Sequence, residues 1–161
     1  MRQNDNKPIL LIGSLSVCLL AAYIGSLFTM PEIENWYAFI NKPSFTPPNE
    51  VFSPVWTLLF IMMGVSLFLI ISQKKKNKYT KQGLILFGCQ LILNILWSFL
   101  FFGWHEILAA LSELFSLWSI LAATILVFWK INKAAAYLLI PYLAWLSFAF
   151  VLNFFIVLAN R

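Results

Sequence analysis

Five stretches of this chain, near residues 9–29, 52–72, 82–102, 107–129 and 135–158, run for some 20 residues with almost no charge. A hydrocarbon layer of roughly 30 Å takes about 20 helical residues to cross. Inside that layer every backbone N–H and C=O must find its partner within the protein, which leaves helices or closed barrels. The stretches are about twice as long as a tilted membrane strand requires. The chain is therefore expected to be all-α, an integral membrane bundle of five transmembrane helices in one domain over residues 1–161. Hydrophobic residues fill 61% of positions, charged ones 11%, and mean hydropathy is +0.85, which excludes a water-soluble surface.

Charge then orients the bundle. With five spans, Arg2, Lys7, Lys74, Lys75, Lys76, Lys78, Lys81, Lys130 and Lys133 fall on one side, and only Lys42 and Arg161 on the other. Nine against two predicts a cytoplasmic N-terminus and an outside C-terminus. The lysine run at 74–78 reads as a loop against anionic headgroups, and no nucleic acid is expected as a partner. The first apolar run is long for a secretory signal and is followed by no clear small-residue cleavage site before Pro31, so it is read as a retained helix. Cys18 and Cys89 fall inside spans, as small packing residues and not a disulfide framework.

The third span carries a stripe that lipid would not tolerate. Gln90, Asn94, Trp97 and Ser98 recur at steps of four, three and one, which places them on one helical face. A carboxamide without partners in hydrocarbon costs several kcal/mol, so this face should meet protein, ligand or a wet cavity. Trp56, Phe60, Met63 and Gly64 on the second span and Pro141, Trp145, Ala149 and Asn153 on the fifth, with Tyr142 alongside, form matching faces. A proline within the fifth span frees a backbone carbonyl, which points that face inward. Convergence of these faces would make a chamber for a large, flat, mostly apolar ligand with a few polar edges. Each residue also has a plainer reading as helix packing or an interhelical hydrogen bond. Ser14, Cys18, Ala22 and Ser26 form a small-residue ridge suited to close helix approach, within the bundle or between copies.

The loop 31–50 is longer than a connector needs to be. Trp36, Tyr37, Phe39, Ile40 and Phe45 would bury area, and Pro43, Pro47 and Pro48 stiffen its backbone. The expectation is a structured lid over the outer mouth, with a short helix near 32–40 ending before Lys42-Pro43. An aromatic belt at headgroup depth is the other reading.

Glu113 is the acid set deepest in a span, about 10 Å from the outer boundary. It keeps a proton-coupled transporter in view. His105 has no Cys or His partner spacing, so no metal site is assigned. No nucleophile elbow, phosphate loop or carboxylate pair is present, which argues against an ordinary acid–base enzyme.

The runs Trp36-Tyr37, Lys42-Pro43-Ser44-Phe45-Thr46-Pro47-Pro48, Phe52-Ser53-Pro54-Val55-Trp56, Gln90 to Asn94 with Trp97-Ser98 and Phe101-Phe102, and Pro141-Tyr142 with Trp145 and Leu152-Asn153 resemble the tryptophan-rich sensory protein/translocator protein family, also called peripheral benzodiazepine receptors. The resemblance spans nearly the whole chain in order and spacing. It implies a five-helix bundle, commonly a homodimer, with no required cofactor. The implied ligands are porphyrins such as protoporphyrin IX and haem, and isoquinoline-carboxamide or benzodiazepine drugs. It carries pocket roles onto Tyr37, Trp56, Phe60, Asn94, Trp97, Ser98, Trp145 and Ala149, and a cover role onto Trp36, Pro43, Phe45, Pro47 and Pro48. If light-dependent porphyrin degradation occurs, as the resemblance to bacterial members suggests, Trp56 and Trp145 are the oxidisable side chains. Phe154 and Phe155 stand where cholesterol-binding members have a tyrosine, which argues against steroid recognition.

Overall fold

The computed structural model describes residues 6–73 and 78–161, so Arg2 and Lys74, Lys75 and Lys76 of the charge argument lie outside the described residues. Five helices follow one another: α1 (Lys7–Glu32), α2 (Asn49–Ile71), α3 (Lys78–Ser98), α4 (Ile107–Trp129) and α5 (Lys133–Ala159). π-helical turns extend α1 through Ile33–Tyr37 and α3 through Phe99–Gly103. With these turns included, the spans measure 31, 23, 26, 23 and 27 residues, each long and apolar enough to cross a membrane. The described residues contain no strand.

Around the bundle the helices neighbour one another in the order α1, α2, α5, α4, α3 and back to α1, while α2 and α3 scarcely touch. The half nearer the N-terminus is filled. Cys18, Met63, Phe87, Leu117, Leu121, Phe128 and Leu139 are buried together there. Gly64 lets α2 lie directly on α1: a Cβ at that position would stand 3.0 Å from Leu15 Cα and 2.8 Å from its Cδ2. Across the neighbouring pair, Ser66 Oγ donates to the carbonyl of Ala135 at 2.8 Å, joining α2 to α5. Ser14 and Cys18 of the small-residue ridge are buried inside the bundle, so at these positions the ridge serves helix packing within one chain.

The opposite end is wider and aromatic. Trp36 stacks on His105 at 4.3 Å and 13°, and meets Phe101 edge to face at 5.3 Å. His105 Nε2 lies 3.2 Å from Glu32 Oε2 and adopts a positive φ of 58°, tying the α3–α4 turn to the end of α1. The loop 38–48 then runs to the end of α5. There Asn41 and Asn160 bond in both directions, Phe45 meets Phe155 edge to face at 5.5 Å, and Lys42 Nζ reaches back to the carbonyl of Tyr37.

Two details depart from the sequence reading. Pro31 does not end the first helix, and the helical structure expected near 32–40 is the π turn Ile33–Tyr37, which ends before Lys42-Pro43 as expected but continues α1 instead of standing apart from it. Proline deprives the helix of one hydrogen bond, and here the chain widens into a π turn just beyond it while Asn35 Nδ2 takes the Pro31 carbonyl at 2.8 Å. Pro141 is exposed on the outside of the bundle and not turned inward. Steps of four residues drift about 40° on a helix, so the three steps back from Asn153 accumulate to about 120°, whereas Tyr142 returns to within about 20° of it. Tyr142 accordingly takes the buried position.

Candidate ligand chamber

Where α2 and α3 part, the wide end of the bundle encloses a cavity of about 450 Å³, within the range of small-molecule sites. α1, α2, α3 and α5 wall it, α4 stands behind, and no lining residue is charged. On α1 the wall is built from small and hydroxyl residues, Ala22, Gly25, Ser26 and Thr29, followed by Ile33 and Tyr37 from the π turn. Gly25 brings α1 close to Ser98: a Cβ there would come 3.2 Å from Ser98 Oγ. Tyr23 and Met30 on α1 and Ser53 and Thr57 on α2 line the cavity while also being exposed, so it opens between these two helices.

The aromatic walls come from the other helices. Trp56 and Phe60 sit one turn apart on α2, with ring centres 5.8 Å apart. Phe52 meets Trp145 of α5 at 5.9 Å, and Trp97 of α3 stacks on Phe101 at 5.1 Å and 17°. Such offset and edge contacts fix ring orientation beyond what burial alone does.

The polar groups differ in how they are satisfied. Ser26, Thr29 and Thr57 donate to carbonyls of their own helices. Asn94 Nδ2 donates to Tyr142 Oη at 2.7 Å. Trp97 Nε1 and both carboxamide atoms of Asn153 are buried with no protein partner. Unpartnered buried polar atoms are uncommon and costly; Trp97 and Asn153 carry theirs on the cavity wall, while Gln90 and Glu113 carry theirs off it.

All the ligand positions expected from the sequence, Tyr37, Trp56, Phe60, Asn94, Trp97, Ser98, Trp145 and Ala149, line this cavity. Of the cover residues, Trp36, Pro43, Phe45, Pro47 and Pro48 do not line it; Trp36 packs over Phe101 and Phe102, and Phe45 rests on the end of α5. Met63 and Gly64 continue the α2 face below the cavity into the packed half. Gln90 is one turn deeper than Asn94, fully buried and unpartnered, and does not reach the cavity. Glu113 is buried on α4 with both carboxyl oxygens unpartnered, also off the wall. The sequence reading missed the α1 wall apart from Tyr37; it also missed Asn49, Phe52, Ser53 and Thr57 on α2, and Phe101, Phe102, Leu152 and Ile156. Ala22 and Ser26 belonged to the ridge it did identify.

Comparison with known proteins agrees with this architecture. A sequence model of the TspO/MBR family matches residues 14–158. The chain is similar to the tryptophan-rich protein TspO of Chlorobaculum tepidum, 42% identical over 156 residues that cover 96% of this chain and 99% of that protein. It is similar to the TspO of Archaeoglobus fulgidus at 40% identity, covering 93% and 96% of the two chains. To the human translocator protein it is 37% identical, over 84% of this chain and 80% of that one. Five membrane-spanning helices and a match over most of the chain lead to one conclusion: this multi-pass membrane protein belongs to the TspO/MBR family.

Proposed function

We propose that the protein is a membrane receptor or sensor that binds porphyrins, protoporphyrin IX and haem among them, in the chamber between α1, α2, α3 and α5. Isoquinoline-carboxamide and benzodiazepine-type molecules fit the same description of a flat apolar body with few polar edges. The observation that carries the reading is the convergence of Trp56, Phe60, Trp97 and Trp145 with Asn94 and Ser98 on one uncharged cavity. Aromatic faces supply stacking area and the carboxamide supplies orientation. The opening between α1 and α2 accommodates a ligand edge that the cavity does not enclose. The protein is read as a homodimer in the plasma membrane with its N-terminus cytoplasmic, on the family resemblance and the lysine distribution.

Titration of purified protein with protoporphyrin IX in the dark tests the reading through quenching of tryptophan fluorescence. Saturable quenching at a fixed stoichiometry supports it, and quenching that is linear in porphyrin without saturation overturns it. The same titration under illumination tests porphyrin degradation through loss of the porphyrin absorbance band.

A second reading, transport of the tetrapyrrole, draws on Glu113, whose buried carboxyl has no protein partner. An intramembrane acid in that state marks proton-linked movement in many bundles.

A further inference from the structure

Three lysines gather at the end of the bundle opposite the chamber, each over an aromatic ring. Lys130 Nζ, from the end of α4, lies 5.0 Å from the centre of the Tyr79 ring, and Lys78 Nζ, from the start of α3, lies 5.2 Å from the same centre. Lys133 Nζ, from the start of α5, lies 5.8 Å from the Trp129 ring. Packing fixes the helices that carry them. Gly83 lets α3 press on α4, since a Cβ there would stand 3.0 Å from Phe128 Cε1, and Phe87 stacks on Phe128 at 5.9 Å and 7°. Next to Lys133, the Asn132 side chain caps α5 by accepting from the Ala135 N–H at 3.3 Å.

These ammonium groups lack a counter-charge. Sharing one ring puts Lys78 and Lys130 Nζ at most about 10 Å apart, one Debye length at 0.1 M salt, so each feels the other. A ring face attracts a cation but carries no net charge to neutralise it. Among the described residues no carboxylate stands at this end of the bundle: Glu32, Glu34, Glu50 and Glu106 belong to the opposite end, and Glu113 lies in the half of α4 nearer to it. Beside the lysines runs an exposed apolar strip. Leu126 and Trp129 on α4 and Tyr137 and Ile140 on α5 are exposed at steps of three, with the Trp129 and Tyr137 rings meeting at 4.9 Å. An anion that carries acyl chains complements both features, whereas a soluble polyphosphate leaves the strip unused.

We infer that this corner binds an anionic lipid with two phosphates on one headgroup: one phosphate between Lys78 and Lys130, the other at Lys133, and the acyl chains along Trp129 and Tyr137. Lys130 and Lys133 are three residues apart, so their Cα atoms lie within about 11 Å, and two flexible lysine side chains close on one headgroup from there. A diphosphate lipid is favoured over two separate monophosphate lipids because its second contact is intramolecular. The site is separate from the chamber and does not depend on what the chamber binds.

Native mass spectrometry of the full-length protein in neutral detergent tests this with cardiolipin, with phosphatidylglycerol at equal phosphate, and with inorganic pyrophosphate as competitor. Wild type is expected to retain one cardiolipin about tenfold more tightly than phosphatidylglycerol. Lys130→Gln and Lys133→Gln should each weaken cardiolipin about fivefold, and Lys130→Arg should keep it. Lys81→Gln removes the same charge from the same end but lies over neither ring, and should change binding less than twofold. All of these lysines are exposed, so the variants keep the fold. A loss in Lys81→Gln equal to that in Lys130→Gln would show a diffuse charge effect and overturn the inference. Equal retention of cardiolipin and phosphatidylglycerol would overturn it too. Pyrophosphate that displaces cardiolipin at equal concentration would assign the lysines to a free diphosphate and end the lipid reading.

Discussion

Asn41 and Asn160 hold each other across 119 residues of chain: the Asn41 backbone N–H donates to Asn160 Oδ1 at 3.0 Å, and Asn160 Nδ2 donates back to the Asn41 carbonyl at 2.8 Å. Asn41 Nδ2 adds a third bond, to the Ala159 carbonyl at 3.2 Å. The loop after Tyr37 is thus fastened to the end of α5. Asn160→Leu removes the reciprocal pair, and about 1 kcal/mol per lost bond of this kind is a reasonable scale. Hydrogen exchange of residues 38–48 should accelerate several-fold while exchange in α4 stays as in wild type. Unchanged exchange in the loop would show that Phe45 against Phe155 and Lys42 against Tyr37 suffice to hold it.

Gly64 and Gly88 provide a contrast within one protein. A methyl group at 64 would press on the Leu15 backbone, while a methyl group at 88 meets nothing within 4 Å. Gly64→Ala should destabilise the bundle by about 1–3 kcal/mol through overpacking. Gly88→Ala should be neutral or stabilising by up to about 1 kcal/mol, from helix propensity. Thermal unfolding in one detergent compares them, and equal melting temperatures would contradict the close approach of α1 and α2.

Trp145 lines the chamber, whereas Trp129 stands at the other end of the bundle against Tyr137, at 4.9 Å. Loss of an aromatic wall should weaken a stacked ligand by roughly 1–2 kcal/mol, or about tenfold. Trp145→Leu is therefore expected to weaken protoporphyrin IX by that factor and Trp129→Leu to leave it unchanged. Calorimetric titration of both variants reads the difference directly.

Glu113 stands behind the chamber wall and not on it. Glu113→Gln should leave porphyrin affinity within about twofold, as expected for a residue that makes no ligand contact. If the chain moves tetrapyrrole across liposomes under a pH gradient, the same variant should abolish the dependence on that gradient. A wild-type protein that moves no porphyrin ends the transport reading.

Much of the chamber was legible in the sequence because lipid excludes carboxamides. Asn94, with Trp97 and Ser98 on its helical face, had to turn inward, and it does; Trp56 and Phe60 were under no such demand, and their pocket places were legible only through the family resemblance. Gln90 obeyed the same rule without reaching the cavity, since helical phase fixes a face and says nothing of depth. α1 was hidden for a different reason. Ala22, Gly25 and Ser26 look the same whether they allow a neighbouring helix or a cavity to come close, and Ser14 and Cys18 of that ridge do meet helices. The turn Ile33–Tyr37 depends on a shift of backbone hydrogen bonds that no residue type announces. Pro141 shows how a four-residue rule, sound over one turn, fails over three.

A crystal of this protein grown with protoporphyrin IX measures the central claim most directly, through the difference density of the bound macrocycle. The account predicts a flat ligand between Trp56 and Trp145 with one edge at Asn94. Density confined to the outer, lipid-facing surface of the helices, with the cavity holding only solvent at saturating porphyrin, would contradict it.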